Sequence, residues 1–487
     1  MLALLVATFA GAGLARADGG YYQGALGARA TGRAGAFVAR ADDLTAVFYN
    51  PAGLADLKGT LIQIGDRLSY NGYGYTRTPT LDYGKSSSSP PRVSFATVFN
   101  SKKVQGLEPM LGVASKLGLR DWGFALAAYA PPGNANESFP EGGGQRYMMV
   151  DRQAIILKYV ASVAWKYGET FGLGATFEWI HVPRLDYSLI IDGTPSVRAD
   201  NPVSSPLDIL ATTHGSSAFT PNAIFGTWFR PTRAWQFGAA GQVIPTKIVT
   251  HSSLDVKPLS DQLGPVTLRR PSTGQRGIND VTVTLPLPLL ARLGGRYRYF
   301  DGDRELFDLE LDVEYETWSR VDNFTVATNG LVATVASMDV DINDIVIPKH
   351  WRNTLSVKVG GDVTVVPERW VMRGGLFYET AVAPNAYANV DFPGGAMMGV
   401  GLGTSLLFGR AELAIGYQMR YMRDVSVSEA NGAVYQQVPG SQCAAPYTDT
   451  TKCNANLMGR PAPVVNAGIY QAVSHLLSLG LLYHFGT

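Results

Sequence analysis

The chain has 487 residues, and its composition already excludes several classes of protein. Its 41 Lys and Arg residues balance 40 Asp and Glu residues and form no basic run, so we expect no nucleic acid partner. Hydrophobic residues make up 46% of the chain, which is too many for a disordered protein. Beyond the N-terminus, no apolar stretch approaches the roughly 18 residues of a membrane-spanning helix. A secreted β protein and an outer-membrane barrel remain, and only the barrel hides its apolar residues in alternation.

The chain begins with an apolar segment that predicts export. Leu2–Leu14 has the length of a signal-peptide core, and Ala15-Arg16-Ala17 has the small-x-small pattern that signal peptidase cleaves. We therefore predict a signal peptide over residues 1–17. The alternative interpretation is a short buried helix.

Residues 18–60 are rich in Gly and Ala and do not alternate as strands do. Asp42-Asp43 before Leu44–Tyr49 predicts a short capped helix, and Asn50-Pro51 predicts the turn that ends it. About forty residues are too few for an independent domain, so we expect this segment to fill a barrel as a plug. The apolar residues that such a plug would bury are Phe37, Leu44, Val47, Phe48 and Leu54.

Residues 61–487 repeat apolar and polar residues with a period of two, which predicts the barrel itself. Six tight turns and seven long polar stretches divide them into about fourteen antiparallel strands. Short periplasmic turns and long outer loops are typical of outer-membrane barrels. The long stretches lie near residues 76–106, 132–150, 192–214, 251–284, 326–349, 386–394 and 430–463.

The strongest alternation lies in Asp308–Glu316, where five carboxylates share one face. The preceding segment presents Arg292, Arg296 and Arg298 on one face, so a hairpin through residues 301–303 would pair arginines with carboxylates. A soluble core rarely buries such a face, whereas a barrel can direct it into its lumen. This hairpin therefore favours the transmembrane barrel.

Several motifs occur in order along the chain. Gly32–Ala36 and Ala41–Asp43 precede Phe48-Tyr49-Asn50-Pro51-Ala52-Gly53-Leu54-Ala55. Weaker motifs follow at Phe171–Gly174, Tyr315–Ser319, Lys349–Arg352 and Gly375–Tyr378. With these motifs the chain resembles the long-chain fatty-acid transporter family, the FadL/TodX-type outer-membrane proteins that import hydrophobic compounds.

The resemblance implies a fourteen-stranded barrel with an N-terminal plug and lateral release of the ligand into the membrane. Transfer of a CH₂ group from an apolar site to water costs about 0.8 kcal/mol, so a watery pore would be a poor route for such a ligand. In the family, a side window lies where the third strand kinks inward, and Gly123–Gly133 matches that stretch. The alternative is that its prolines only close the strand. The candidate residues for the lateral opening are Gly123, Ala125, Ala127, Ala128, Pro131 and Pro132.

The resemblance also suggests residues for the plug and for the ligand. Asn50, Pro51, Ala52 and Phe48 are candidates for a structural and gating role against the barrel wall, although Phe48 and neighbouring apolar residues either line the ligand tunnel or fix the plug. An anionic headgroup would favour Arg or Lys beside an apolar pocket. The candidate ligand-binding residues, which are otherwise rim charges, are Arg184, Lys349 and Arg352.

The remaining reactive residues give no enzymatic pattern. Cys443 and Cys453 lie in a Gly/Pro/Asn/Ser-rich segment, where a local disulfide or two unlinked thiols are the alternatives. The six histidines lie far apart, so we expect no metal, no cofactor and no enzyme.

The expected partners are a hydrophobic small molecule, outer-membrane lipid and lipopolysaccharide, with the chain as a monomer. The leading hypothesis is transport of long-chain fatty acids or of aromatic or aliphatic hydrocarbons across the bacterial outer membrane. The alternative is an adhesin or receptor barrel that acts through its long loops without transport.

Overall fold

The computed structural model describes residues 24–82, 89, 91–106, 108–133, 136–192, 203–204, 206–270, 279–335, 338–342, 344–436 and 463–486. The predicted signal peptide over residues 1–17 and the predicted pair Cys443 and Cys453 lie outside these residues, so both stay predictions. Within the described ranges, no helix has the length and hydropathy required to cross a bilayer.

Fourteen antiparallel wall strands form a closed barrel in the outer membrane, as the alternation predicts. The barrel closes because the last strand pairs with the first, from Thr60 opposite Phe485 to Arg77 opposite Gly468. Strands β7 to β10 each consist of two ladder segments. The bounds are β1 Thr60–Arg77, β2 Met110–Ser115, β3 Trp122–Tyr129, β4 Asp151–Tyr167, β5 Phe171–Asp192, β6 Asp208–Phe229, β7 Trp235–Gln242 and Lys247–Pro258, β8 Asp280–Pro286 and Leu290–Asp301, β9 Arg304–Glu316 and Asn323–Ala327, β10 Ile345–Pro348 and Thr354–Val366, β11 Trp370–Glu379, β12 Met397–Phe408, β13 Ala411–Val427 and β14 Gly468–Phe485.

All of the predicted tight turns join neighbouring strands at one end of the barrel. Gly168, Gly302 and Gly409 have φ angles of 57°, 59° and 63°, a left-handed conformation that glycine adopts without steric cost. The connections at the opposite end are long. The structure thus confirms the predicted asymmetry between the two ends.

The predicted loop over residues 251–284 is wrong at both of its ends. Strand β7 continues to Pro258, and strand β8 begins at Asp280. In this region the outward positions include the exposed polar residues His251 and Asp255. Because polar residues occupy both faces there, hydrophobic alternation no longer marks the strand. The predicted loop 192–214 is wrong at its end, because β6 begins at Asp208 with three consecutive apolar residues, Ile209–Ala211, which do not alternate.

The outer face of the barrel is apolar, and the inner face is polar. On β14, Leu477, Leu479 and Leu481 are exposed on the outside, whereas Ser474 and Ser478 are buried on the inside. Exposed aromatic residues cluster at the strand ends next to the short turns, as expected for a membrane interface. These aromatic residues are Trp122, Tyr167, Phe229, Trp235, Trp370, Phe408, Tyr483 and Phe485.

The N-terminal segment lies inside the barrel as a plug. It contains the helices α1 Ala28–Gly32 and α2 Ala46–Tyr49 and the 3₁₀ helix Pro51–Asp56. Helix α2 ends directly before Asn50-Pro51, as predicted. The five apolar residues expected in the plug core are all buried, which confirms that part of the prediction. The limits of the plug, predicted as residues 18–60, stay a prediction, since residues 18–23 are outside the described part.

Smaller elements occupy the long connections and, at Trp318–Arg320, the break between the two segments of β9. They are the strands Thr80–Leu81, Arg92–Val93, Val98–Phe99, Val104–Gln105, Asn136–Ser138, Thr267–Arg269, Val332–Val335 and Met338–Asp341, and the 3₁₀ helices Asp261–Leu263, Trp318–Arg320 and Asn385–Tyr387.

Candidate functional site: the plug contacts and the apolar cavity

Glycines of the wall strands allow the plug to contact the barrel backbone directly. A Cβ atom at Gly123 would lie 2.2 Å from the carbonyl oxygen of Leu54, and one at Gly174 would lie 2.4 Å from the backbone of Ala52. Both distances are far below van der Waals contact, so only glycine permits these approaches. The strand glycines in comparably close contact with the plug are Gly123, Gly174, Gly226, Gly238, Gly294, Gly360, Gly375, Gly401, Gly403 and Gly416.

Arg33 of the plug forms a fully buried ion-pair cluster with the wall. Its Nη1 lies 2.9 Å from Asp308 Oδ1 and 2.8 Å from Asp362 Oδ1, and its Nη2 lies 2.8 Å from Glu310 Oε2. Arg40 reaches Asp308 and Asp362 at 3.2 and 3.0 Å. Because each of these charges is removed from water, each depends on its partners for compensation.

A second set of carboxylate contacts binds the backbone of the plug. Asp312 Oδ2 accepts hydrogen bonds from the N–H groups of Phe37 and Val38 at 2.7 and 2.9 Å. Glu310 Oε1 accepts one from the N–H group of Ala39 at 2.7 Å. The carboxylate row of Asp308–Glu316 thus faces the lumen as predicted, and in addition it holds the plug.

The predicted cross-strand contacts of the charged hairpin also occur. Arg292 Nε lies 2.5 Å from Glu314 Oε2, and Arg296 contacts Asp308 across the same pair of strands.

Within the plug, burial opposes ionisation of Asp42, but Arg29 and Arg40 outweigh it and hold the pKa of this carboxyl well below its usual value. Asp42 is therefore ionised at neutral pH.

Asn50 connects two parts of the plug to the barrel wall. Its Nδ2 donates hydrogen bonds to the carbonyl oxygens of Val38 in the plug and Thr227 in β6, both at 3.0 Å. Its Oδ1 accepts a hydrogen bond from the N–H group of Ala52 at 3.2 Å and so caps the 3₁₀ helix that starts at Pro51. Asn50 is buried, and a Cβ atom at Gly226 would lie 2.2 Å from its Oδ1.

Phe48 packs between the plug and the wall. The Arg292 guanidinium lies 4.3 Å from the centre of its ring, and Arg292 Nη1 donates a hydrogen bond of 2.6 Å to the Phe48 carbonyl oxygen. Its ring also meets Tyr129 of β3 edge to face at 6.2 Å. Phe48 does not line the large cavity described below, so its contacts favour the interpretation that it fixes the plug.

Strand β3 is interrupted directly after Tyr129. From Trp122 to Tyr129 it pairs with β4 on one side, and from Phe124 to Tyr129 with β2 on the other. Pairing with β4 resumes at Asn136. Between these ladders the described residues Ala130–Gly133 include Pro131 and Pro132, which lack backbone N–H groups, and Pro132 is buried.

An apolar cavity of about 420 Å³ lies beside this interruption. Its volume falls in the range that is usual for small-molecule sites. On one side it touches the interrupted part of β3 and strand β4, and on the other it reaches β8, β9 and β10. The residues that line it include Pro131, Pro132, Ala154, Ile155, Ile156, Leu157, Ile180, Leu185, Tyr187, Ile248, Val283, Leu285, Leu287, Phe324, Val326, Ile347 and Phe392.

Residues from both faces of β4 are among those that line this cavity. Ala154 and Lys158 are buried on the lumen side, whereas Ile155 is about half exposed on the outer side. In an intact wall these two sets of residues are separated by the sheet. The cavity therefore borders residues of both faces of β4.

The residues predicted for a lateral opening divide into two groups. Pro131 and Pro132 lie at the interruption and line the cavity. Gly123, Ala125, Ala127 and Ala128 lie in the part of β3 that is paired on both sides. Gly123 contacts the plug, and the alanines belong to a ladder that is paired on both sides, so the interruption of the strand lies at residues 130–133. The lateral opening itself stays a prediction.

The predicted ligand-binding cations are not brought together. Arg184 is exposed on the outer face and contacts Asp186, and Arg352 is exposed between the two ladder segments of β10. Lys349 is fully buried, with Nζ 2.6 Å from both carboxylate oxygens of Asp391. It lies behind the rings of Phe324 and Phe392 and does not line the cavity.

Most of the residues that line the cavity are not marked by the sequence pattern. Lys158 and Ile180 stand at inward positions of β4 and β5, where a period of two also places ordinary lumen residues. An unusual signal does exist in β4, because Ala154–Leu157 is a continuous apolar run within an alternating strand. Such a run is expected where both faces of a strand are apolar.

The closed barrel, its lumen plug and an apolar cavity beside a broken strand together define an outer-membrane transport barrel. The chain matches the family described as "Outer membrane protein transport protein (OMPP1/FadL/TodX)" over residues 5–462. It therefore belongs to this family, whose members transport hydrophobic compounds across the outer membrane. No curated protein sequence matches the chain at a significant level.

Solved structures share the fold at low sequence identity. A FadL homologue of Pseudomonas aeruginosa is 18% identical with a TM-score of 0.72, covering 96% of this chain and 100% of its own. The P. putida toluene transporter TodX is 12% identical with a TM-score of 0.61, covering 95% and 99%. The CymD monoaromatic hydrocarbon channel is 13% identical with a TM-score of 0.58, covering 95% and 98%.

Proposed function

We propose that the protein imports hydrophobic small molecules and releases them sideways through the interruption of β3. Capture would occur at the long outer loops, and the apolar cavity would hold the ligand before release. The observation that carries this proposal is that residues from both faces of β4 line one cavity. A ligand in that cavity can pass between lumen and lipid without losing apolar contact, whereas a watery exit would cost about 0.8 kcal/mol per CH₂ group.

The plug would keep the lower lumen closed during this transfer. Asn50, Pro51, Ala52 and Phe48 join the plug to β5, β6 and β8, and none of them lines the cavity. We propose that they set the position of the plug and so direct the ligand to the side exit. The outer apolar face would contact outer-membrane lipid and lipopolysaccharide, and a closed barrel leaves no open sheet edge, which suits a monomer.

The test compares two Trp substitutions on strand β4. Ile156→Trp places a large side chain at a residue that lines the cavity, and Val163→Trp adds the same side chain at an exposed, lipid-facing position away from it. Ile156→Trp should reduce uptake of a radiolabelled hydrophobic compound, such as toluene or a fatty acid, by about tenfold or more in cells that carry equal amounts of folded barrel. Val163→Trp should leave uptake near that of the unmodified protein. Equal uptake by both variants would contradict the lateral route.

A further inference from the structure

The charges that surround the cavity point to the chemical class of the ligand. Three charged residues line it, namely Glu108, Arg152 and Lys158. Each of the three contacts an oppositely charged side chain in the described part of the chain. The net charge that the cavity presents to a ligand therefore depends on whether the charges of the partners cancel those of Glu108, Arg152 and Lys158.

Lys158 is neutralised by a buried carboxylate. Its Nζ lies 2.9 Å from Glu178 Oε1 and 3.0 Å from Glu178 Oε2, and both side chains are almost completely buried. Glu178 also accepts hydrogen bonds from the Tyr129 hydroxyl at 2.8 Å and from Asn222 Nδ2 at 2.6 Å. The carboxylate is thus fixed by three side chains, and Lys158 cannot change partner without leaving it uncompensated.

Arg152 is balanced in the same way. Its Nη2 lies 3.4 Å from Glu137 Oε1, and its Nη1 donates a hydrogen bond of 2.9 Å to the Asp391 carbonyl oxygen. The guanidinium also lies 4.1 Å from the centre of the Phe392 ring, and both residues line the cavity. Behind that ring, the buried Lys349 is paired with the Asp391 carboxylate.

Glu108 and Arg184 are paired as well. Glu108 contacts Arg67, and on the outer face Arg184 Nε lies 2.5 Å from Asp186 Oδ2. With all six side chains ionised, the charged residues that line the cavity and their partners sum to zero, and most of the remaining lining residues are apolar. An anionic headgroup in this cavity would be a buried charge without a countercharge of its own.

We infer that the cavity selects uncharged hydrophobic molecules, such as hydrocarbons or long-chain alcohols, over fatty-acid anions of the same chain length. This inference rests on the proposed function, because it concerns the ligand of the same cavity. Selection follows from the built-in pairs, since an uncharged ligand needs only the apolar lining, whereas a carboxylate would have to compete for a cation with Glu178 or Glu137.

The test compares binding of 1-octanol and octanoate to the detergent-solubilised protein at pH 8, where octanoate is ionised, by isothermal titration calorimetry. We expect octanol to bind at least about tenfold more tightly. Equal or tighter binding of octanoate would overturn the inference and leave the proposed function intact. If neither probe binds, or if Ile156→Trp does not weaken octanol binding, the proposed function fails as well.

Two substitutions test whether the paired carboxylates cause the selection. Glu178→Gln leaves Lys158 without its countercharge, and Glu137→Gln does the same for Arg152. Each variant should bind octanoate at least about tenfold more tightly than the unmodified protein, with little change for octanol. Glu141→Gln, at an exposed loop position, is the matched control and should change neither affinity. Unchanged octanoate binding by both folded cavity variants would contradict the inference. If a variant does not fold, the affinities of the unmodified protein for octanol and octanoate still test the inferred selectivity.

Discussion

The part of the lumen that the plug fills, here called the lower lumen, and the apolar cavity contact the same barrel wall in different ways. In the lower lumen, glycines and carboxylates of the wall contact the plug, and Arg33 is held by three of those carboxylates. Around the cavity, charges are paired within the wall, and apolar side chains face an open space of about 420 Å³. A wall of constant architecture can therefore be closed by polar contacts in one region and left open to an apolar ligand in another.

The largest expected effect concerns the ion-pair cluster of the lower lumen. Arg33→Met removes the cation shared by Asp308, Glu310 and Asp362 and leaves buried carboxylates with fewer partners. We expect a loss of about 3–5 kcal/mol in the free energy of unfolding, as is usual when one member of a buried ion pair is removed. Urea unfolding of the barrel in lipid vesicles measures this change. Arg352→Met, at an exposed position, should have almost no effect, and similar losses for both variants would contradict the special role of the cluster.

Neighbouring glycines of β11 give a sharper comparison between the plug side and the outer side. A Cβ atom at Gly375 would lie 2.3 Å from the Arg33 carbonyl oxygen, whereas one at Gly374 would meet nothing within 4 Å. Gly375→Ala should therefore destabilise the protein by about 1–3 kcal/mol through overpacking. Gly374→Ala is the control and should be neutral in the same unfolding assay. A neutral Gly375→Ala would mean that the plug can move away from the wall at little cost.

Asn50→Ala tests how firmly the middle of the plug is fixed to β6. The substitution removes the hydrogen bonds to the carbonyl oxygens of Val38 and Thr227 and the cap of the 3₁₀ helix. We expect about 1.5–3 kcal/mol of destabilisation, the lower part of the range for two hydrogen bonds and one cap that contribute roughly 0.5–1.5 kcal/mol each. Hydrogen exchange should then increase in residues 38–52 and remain unchanged in β14. Faster exchange throughout the barrel would instead indicate a general loss of structure.

The smallest effect on stability is expected at the cavity. Ile156→Val removes one methylene group from a half-buried side chain that borders open space. The loss should be about 0.5 kcal/mol, at the low end for this type of substitution, since few contacts are lost. Thermal unfolding would measure it, while titration with octanol would show whether the enlarged cavity alters affinity. A loss as large as that of Gly375→Ala would show that the cavity wall is as tightly packed as the plug contacts.

Much of the barrel could be predicted because a closed sheet between lipid and a polar lumen imposes one simple rule on every strand. Leu477, Leu479 and Leu481 alternate with small or polar residues, and that alternation is enough to assign the outer face. The rule weakens above the membrane, where both faces of a strand contact polar surroundings. For this reason His251 and Asp255 were assigned to a loop although β7 contains them.

The sequence by itself determined the number of strands, the two unequal ends of the barrel, the polar lumen row of Asp308–Glu316 and the burial of the plug's apolar residues. These properties follow from local periodicity and from short motifs. Only the tertiary structure decided that this row binds Arg33, that Gly123 contacts the plug, and that strand β3 is interrupted at residues 130–133. The physical reason is that contacts across a barrel join residues far apart in the chain, so that the partner of a charge or a glycine is set by the closure of the sheet.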